Sequence, residues 1–162
     1  AVGPGDVYTR SKLAAETAVQ SLGSGLVVQI LRLFFPYGPT QQGRFIPNLI
    51  RRVARGEPIN LANSAGQPLV TPLYIDDLVE YARCVLLVEK MFVANLAGNE
   101  VVSIRALAEA IGGLLNRAPI FDAKDGMPAC NWVGNNELLS RLTGYSPHVP
   151  LQLGLERTVG AM

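Results

Sequence analysis

The sequence predicts an α/β fold, on three observations. Helical and extended patterns alternate along all 162 residues, with no internal repeat and no low-complexity tract. That order places helices against a mostly parallel sheet. The run LVVQILRLFF, residues 26–35, carries β-branched side chains and is almost unbroken in apolar character, which suits a strand buried on both faces under covering helices. Finally, the pattern changes at Gly-Ser-Gly (residues 23–25), at Gly56 and at Ser103, residue types that stop or start helices.

The elements follow in order. VYTRSKLAAETAVQSL has apolar residues at helical spacing and predicts a helix over about 7–22. The strand 26–35 comes next, then PYGPTQQG, a loop by its proline and glycine content. RFIPNLIRRVARG reads as a helix stopped by Gly56. PINLA, the turn NSAGQ and PLVTPLYI predict two short strands, whose prolines place part of this region at an edge. DDLVEYARCVLLVEK is a helix; with Asp77 as N-cap, Glu80 stands at the third helical position and closes a capping box. MFVANLAG is a strand, and SIRALAEAIGGLLNR is a helix capped by Ser103. PIFDA is a short strand, and ELLSRLTGY and LQLGLERTV are closing helices.

Composition narrows the class of function. A net charge of +1 gives no electrostatic case for nucleic acid or an anionic membrane as partner. No apolar run approaches the roughly 18 residues of a spanning helix, and no signal peptide opens the sequence. Cys84 sits in an apolar helical stretch and Cys130 in a loop. Two such cysteines make neither a disulfide framework nor a zinc site, so a reducing, cytoplasmic setting is expected. With 49% hydrophobic residues and this length, one domain with a substantial core is expected. The opening AVGPGDVY, without an initiator methionine, is what an internal fragment, a processed chain or an expression boundary looks like.

The first chemical signal is Tyr8 followed four residues later by Lys12, on one face of a helix. A free phenol is almost wholly protonated at pH 7. An ammonium roughly 6 Å away, in a partly shielded site with an effective dielectric of about 20, favours the ionised phenol by about 3 kcal/mol. That turns a tyrosine into a usable acid–base group; two exposed side chains on a helix are the plain alternative. Asp76 and Asp77 read as a paired acid and base or, more simply, as helix-capping residues. Arg51, Arg52 and Arg55 line an anionic pocket or a solvated helix face, the latter being the simpler choice. His148, the single histidine, stands in a loop, which leaves no credible Ser-His-Asp or His-metal mechanism. Trp132 is expected to pack between a closing loop and the core.

Taken together, the motifs resemble the extended short-chain dehydrogenase/reductases, the NAD-dependent epimerase/dehydratase family. YTRSK matches that family's Tyr-x-x-x-Lys signature, and LRLFFPYGP the segment after the next strand. PLYIDDLVE, NLAGNEVVSIRALAEAI and LTGYSPHVPLQLGL match later segments in the same order and spacing. The resemblance implies the C-terminal part of a Rossmann-like doubly wound sheet plus a small α/β substrate-binding subdomain, spanning residues 1–162. The glycine-rich turn that holds a cofactor pyrophosphate, the residue that chooses NAD or NADP, and a Ser/Thr partner of the tyrosine would belong to an absent N-terminal half.

The resemblance implies bound NAD or NADP. Tyr8 would be the catalytic acid/base, and Lys12 would hold the nicotinamide ribose. Phe34 would border the nicotinamide by backbone or ring, with Pro36 close by. Phe35 stands where the family usually has a substrate-contacting asparagine, and Val70 where sugar-nucleotide enzymes carry a diphosphate-gripping arginine. Lys124 lies near a second such arginine without its two-pronged geometry. The implied function is epimerase- or dehydratase-type oxidoreduction of a sugar-nucleotide-like or other hydroxyl/keto small molecule, by a homodimer when full length. The alternatives are a reductase or dehydrogenase of a non-nucleotide substrate and a non-catalytic, cofactor-sensing member. The isolated chain is expected to be inactive and to associate.

Overall fold

The computed structural model describes residues 7–22, 25–64, 66–123 and 130–162. It begins with α1 (Val7–Gln20), β1 (Gln29–Leu33) and a two-residue strand, β2 (Pro36–Tyr37). α2 (Phe45–Arg55) ends as its sequence predicts. Gly56 takes a left-handed φ of 66°, and the Gly56 and Glu57 amides donate to the carbonyls of Val53 and Arg52 at 3.1 and 2.9 Å. β3 (Ile59–Leu61), β4 (Leu69–Val70) and β5 (Leu73–Tyr74) lead into α3 (Ile75–Val85). β6 (Phe92–Leu96) and β7 (Val102–Ser103) precede α4 (Ile104–Leu115). The Ser103 hydroxyl accepts from the Ala106 amide at 3.1 Å, the expected cap. β8 (Phe121–Ala123), α5 (Glu137–Thr143) and α6 (Leu151–Val159) follow.

The α/β class holds, and its ladders are short. β1–β6, β2–β5 and β3–β8 pair parallel, while β4–β7 pair antiparallel. Among the described residues each ladder has two strands. β7, only two residues long, carries no periodicity that a sequence pattern can register. The expected burial of 26–35 on both faces is not met. Leu26 and Val27 lie before β1 and are exposed, as is Leu33 at its end, because no described helix covers them.

Packing divides into two apolar clusters. In the larger, α2, α4 and α6 bury Leu49, Ile50, Val53, Leu107, Ile111 and Leu155 over β3 and β4. The smaller joins Leu73, Tyr81, Val85, Leu96 and Leu139 between β6, α3 and α5. Gly154 lets α6 approach so closely that a Cβ there would collide with the rings of Tyr37 and Tyr74. Tyr37 donates across this contact to the Leu151 carbonyl at 3.3 Å. Among the described residues no helix is long and apolar enough to cross a membrane.

The start of α3 corrects the capping expectation. The N-cap position belongs to Tyr74, and α3 begins at Ile75. Asp77 therefore lies inside the first turn, and its side chain is 1% exposed. It accepts from the Tyr145 hydroxyl at 2.5 Å and from the His148 and Val149 amides, both at 3.1 Å. The His148 ring nitrogen Nδ1 stands 3.1 Å from the same carboxylate and 2.8 Å from the Tyr145 hydroxyl. No capping box forms; Glu80 pairs instead with Arg83 at 3.2 Å. Asp76 pairs with Arg157 in solvent at 3.2 Å, so the two aspartates are not an acid–base pair. Asp77 fastens the segment before α6 to α3, and the surface histidine shares in it.

Two predictions follow from this fastening. Asp77→Ala strands three donors and is expected to cost roughly 2–4 kcal/mol in denaturant unfolding, since bonds to a buried charge are strong and their loss is felt in full. Asp76→Ala removes only an exposed pair and is expected to cost less than about 1 kcal/mol.

The second concerns alkaline pH. Burial, then the Asp77 carboxylate, hold the Tyr145 phenol well above the usual tyrosine range. Burial, then Glu100, do the same for Tyr37. Both phenols keep their protons in the fold after the unfolded chain has lost them. Stability is thus complete below the unfolded tyrosine value and is expected to fall as pH rises above about 10. Tyr145→Phe is expected to flatten that fall in unfolding midpoints measured against pH.

Candidate active site

α1 places Tyr8 and Lys12 one turn apart, with the Lys12 Nζ 5.4 Å from the centroid of the Tyr8 ring. Tyr8 is 70% exposed. The shielding assumed from sequence is therefore not supplied by the described residues, and the attraction weakens about fourfold as the effective dielectric moves from about 20 towards that of water. The helix is tied down from below. Arg32 on β1 grips Glu16 with two parallel bonds, Nε to Oε1 at 2.9 Å and one terminal nitrogen to Oε2 at 2.7 Å. The hydrogen bonds from Arg32 hold the Glu16 carboxyl below its ordinary range. Of the described α1 residues only Thr9 is buried, and this pair is a side-chain link from the Tyr8 helix to the sheet.

Beyond β1 the backbone changes partner. The Phe34 amide donates to the Leu96 carbonyl at 3.0 Å, extending the β1–β6 ladder. The Phe35 carbonyl accepts from the Leu73 amide at 3.3 Å, opening the β2–β5 ladder. Between them Phe35 takes a φ of +44°, a left-handed conformation that is a real outlier for a bulky side chain. The kink sends the two rings apart. Phe34 covers Gly134, where a Cβ would come within 2.7 Å of its ring. Phe35 meets Phe45 edge-on, with centroids 5.3 Å apart, and lies 6.0 Å from Trp132.

Tyr8, Leu33, Phe35, Pro36, Arg44 and Phe45 line one cleft of about 650 Å³, within the range of small-molecule sites. The fold thus brings together Tyr8, Phe35 and Pro36 from the sequence-based set, with Lys12 one helical turn along. Phe34 is turned to the other side, over Gly134, and does not line the cleft. Val70 has 0% exposure in the core of β4 and bridges to Trp132; its side chain has no surface with which to touch a ligand. Lys124 lies outside the described residues. Arg51, Arg52 and Arg55 are spent on Asn48, the Pro58 carbonyl and Glu57, which fits the solvated-face reading. Trp132, 49% exposed, closes over Phe35 less completely than a packing residue should.

Sequence reasoning missed Arg44 and Phe45. Both looked like the opening of a helix, and only the preceding loop, which turns α2 back towards Tyr8, brings them to the cleft.

One prediction tests the link to the sheet. Arg32→Ala is expected to raise amide hydrogen exchange through residues 7–20 while α2 and α4 keep their protection, because the loss is local.

The cleft lies at the carboxyl end of β1, where open α/β sheets place their ligands. The sequence model of the NAD dependent epimerase/dehydratase family matches residues 1–96, and the chain belongs to that family. It is 31% identical over 132 residues to dTDP-4-dehydro-6-deoxy-D-allose reductase of Streptomyces bikiniensis, covering 75% of this chain and 39% of the relative. It is 26% identical over 167 residues to UDP-glucuronic acid decarboxylase 1 of Xenopus tropicalis, covering 98% of this chain and 39% of the relative.

Among solved structures, UDP-glucuronic acid 4-epimerase of Bacillus cereus, in complex with UDP-glucuronic acid and NAD, matches with a TM-score of 0.81 at 24% identity. That match covers 95% of this chain and 51% of the other. The dTDP-glucose 4,6-dehydratase of Bacillus anthracis, in complex with NAD, matches with a TM-score of 0.82 at 21% identity, covering 99% and 53%. The fold is thus the Rossmann type of these enzymes, and the chain spans about half the length of these structures and 39% of the curated relatives.

Proposed function

We propose that this chain supplies the C-terminal half of an NAD- or NADP-dependent epimerase/dehydratase-type enzyme acting on a small hydroxyl or keto compound. The observation that carries the proposal is the meeting of Tyr8, Phe35 and Pro36 on one cleft, with Lys12 one turn from the phenol. Membership of an NAD dependent family supports the cofactor, as do two solved relatives described in complex with NAD.

The residues present fit one end of such a cofactor. The Lys12 ammonium has three protons to give to ribose hydroxyls, and both it and Tyr8 stand accessible on α1. No glycine-rich phosphate cradle opens any strand of this sequence, so the pyrophosphate end would be held by residues outside it. The nicotinamide, when bound, accepts and returns a hydride. Tyr8 takes the proton from the substrate hydroxyl at its Oη and gives it back on reversal. The Lys12 ammonium, beside the Tyr8 ring, attracts the negative charge that develops on the phenol oxygen during the transfer, and that attraction strengthens when a ligand covers the pair and excludes water. Phe35, Pro36 and Phe45 form one wall of the cleft beside the reacting carbon.

In the full-length protein, Tyr8→Phe keeps the ring and removes the ionisable hydroxyl. It is expected to lower turnover by about 10²-fold or more, the scale of general acid–base catalysis, with cofactor affinity nearly unchanged. Lys12→Met is expected to weaken cofactor binding as well, and Arg10→Ala to be near neutral. If Tyr8→Phe retained most of its activity in steady-state assays, the pair would be two exposed side chains and no more.

A further inference from the structure

We propose that Arg32 is a positioning residue for the Tyr8–Lys12 pair. By occupying both oxygens of Glu16, it keeps that carboxylate from drawing the Lys12 ammonium along the helix, away from phenol and cofactor. This rests on the reading of Tyr8 and Lys12 under the proposed function and adds to it a residue outside the cleft.

The spacing along α1 creates the competition. Tyr8, Lys12 and Glu16 follow one another at intervals of four, so they stand in one row, each a turn from the next. Lys12 therefore has two neighbours in that row. Its Nζ stands 5.4 Å from the centroid of the Tyr8 ring, and Glu16 lies a turn further on. Opposite charges at this spacing attract, and a carboxylate is a stronger partner for an ammonium than a neutral phenol. The other positions one turn from Glu16 hold Leu13, Val19 and Gln20. On α1 itself, Lys12 is thus the cation that a free Glu16 would take.

β1 removes the competitor. Arg32 donates from Nε to Glu16 Oε1 at 2.9 Å and from a terminal nitrogen to Oε2 at 2.7 Å. A guanidinium can fill both oxygens of one carboxylate in this way, and an ammonium cannot. The Glu16 side chain is 20% exposed. Deprived of Arg32, its charge would have little water to turn to and would need another partner.

Arg32 then has two roles, holding the helix to the sheet and occupying the carboxylate, and variants of the full-length protein separate them. Calorimetry reads NAD affinity, steady-state assays read turnover, and amide hydrogen exchange reads the anchoring of α1. Arg32→Ala is expected to lower NAD affinity and turnover about 5-fold each, the scale of one ion pair in water-like surroundings. Adding Glu16→Gln removes the freed charge without restoring the anchor. The double variant is expected to return to within about 2-fold of the parent in both, on the same scale, while exchange through residues 7–20 stays raised. Arg32→Gln, with and without Glu16→Gln, keeps a hydrogen-bonding side chain on β1 and reads the same contrast if Arg32→Ala fails to fold.

Double variants as impaired as the single ones would show Arg32 to be an anchor only and would overturn the proposal. Unchanged NAD affinity and turnover in Arg32→Ala would do so too. Tyr8→Phe in the same assays keeps the two readings apart. Its retention of activity would sink the reading of the site, whereas failed rescue beside an inactive Tyr8→Phe would sink the role of Arg32 alone.

Discussion

The site depends on a change of partner in the backbone at Phe34 and Phe35. Up to Phe34 the chain hydrogen-bonds to β6, and from Phe35 it hydrogen-bonds to β5. The left-handed φ at Phe35 makes the change within one residue. A regular strand would send alternate side chains to opposite faces and continue on one partner. Here the kink opens a gap between two ladders and leaves the Phe35 ring at its edge. A bulky residue in that conformation costs of order 1–3 kcal/mol and persists only where its surroundings fix it. The amide bonds on either side and the contacts with Phe45 and Trp132 do so.

Two other contacts hold the frame around this kink. The Asp77 carboxylate gathers Tyr145, His148 and Val149 against the first turn of α3, directly after the strand to which Phe35 is bonded. The segment before α6 is thereby anchored, and α6 presses through Gly154 onto Tyr37 and Tyr74, which belong to β2 and β5. The Arg32–Glu16 pair does a lesser, more exposed job on the other side, setting α1 against β1. Strain at the kink and order around it are therefore parts of one arrangement, with the deep anchor on the Asp77 side and the looser one on the Tyr8 side.

Local signals in the sequence were legible where they act over a few residues. Gly56 stops α2 and Ser103 starts α4 because each cap is settled by its own neighbours. Tyr8 and Lys12 meet because a helix fixes what lies four positions apart. Asp77 was misread because its partners lie 68 to 72 residues away, while a cap three residues from a glutamate is a pattern visible at once. Val70 was placed by likeness to an arginine position, yet its apolar side chain belongs to the core. Arg44 and Phe45 reach the cleft only through the path of the loop before α2. The outward-facing Leu33 shows the limit of reading an apolar run as buried, since burial depends on what covers the faces of the strand.

The central claim is that the exposed Tyr8 face of this chain is where cofactor and substrate meet. Fluorine NMR of the full-length protein labelled with fluorotyrosine tests it most directly, because the chain has 5 tyrosines in distinct settings. On titration with NAD the account predicts that the Tyr8 resonance shifts to saturation. The resonances of Tyr81 and Tyr145, packed together at the Asp77 anchor and absent from the cleft lining, are predicted to stay where they are. A Tyr8 resonance that does not move at saturating NAD would contradict the account.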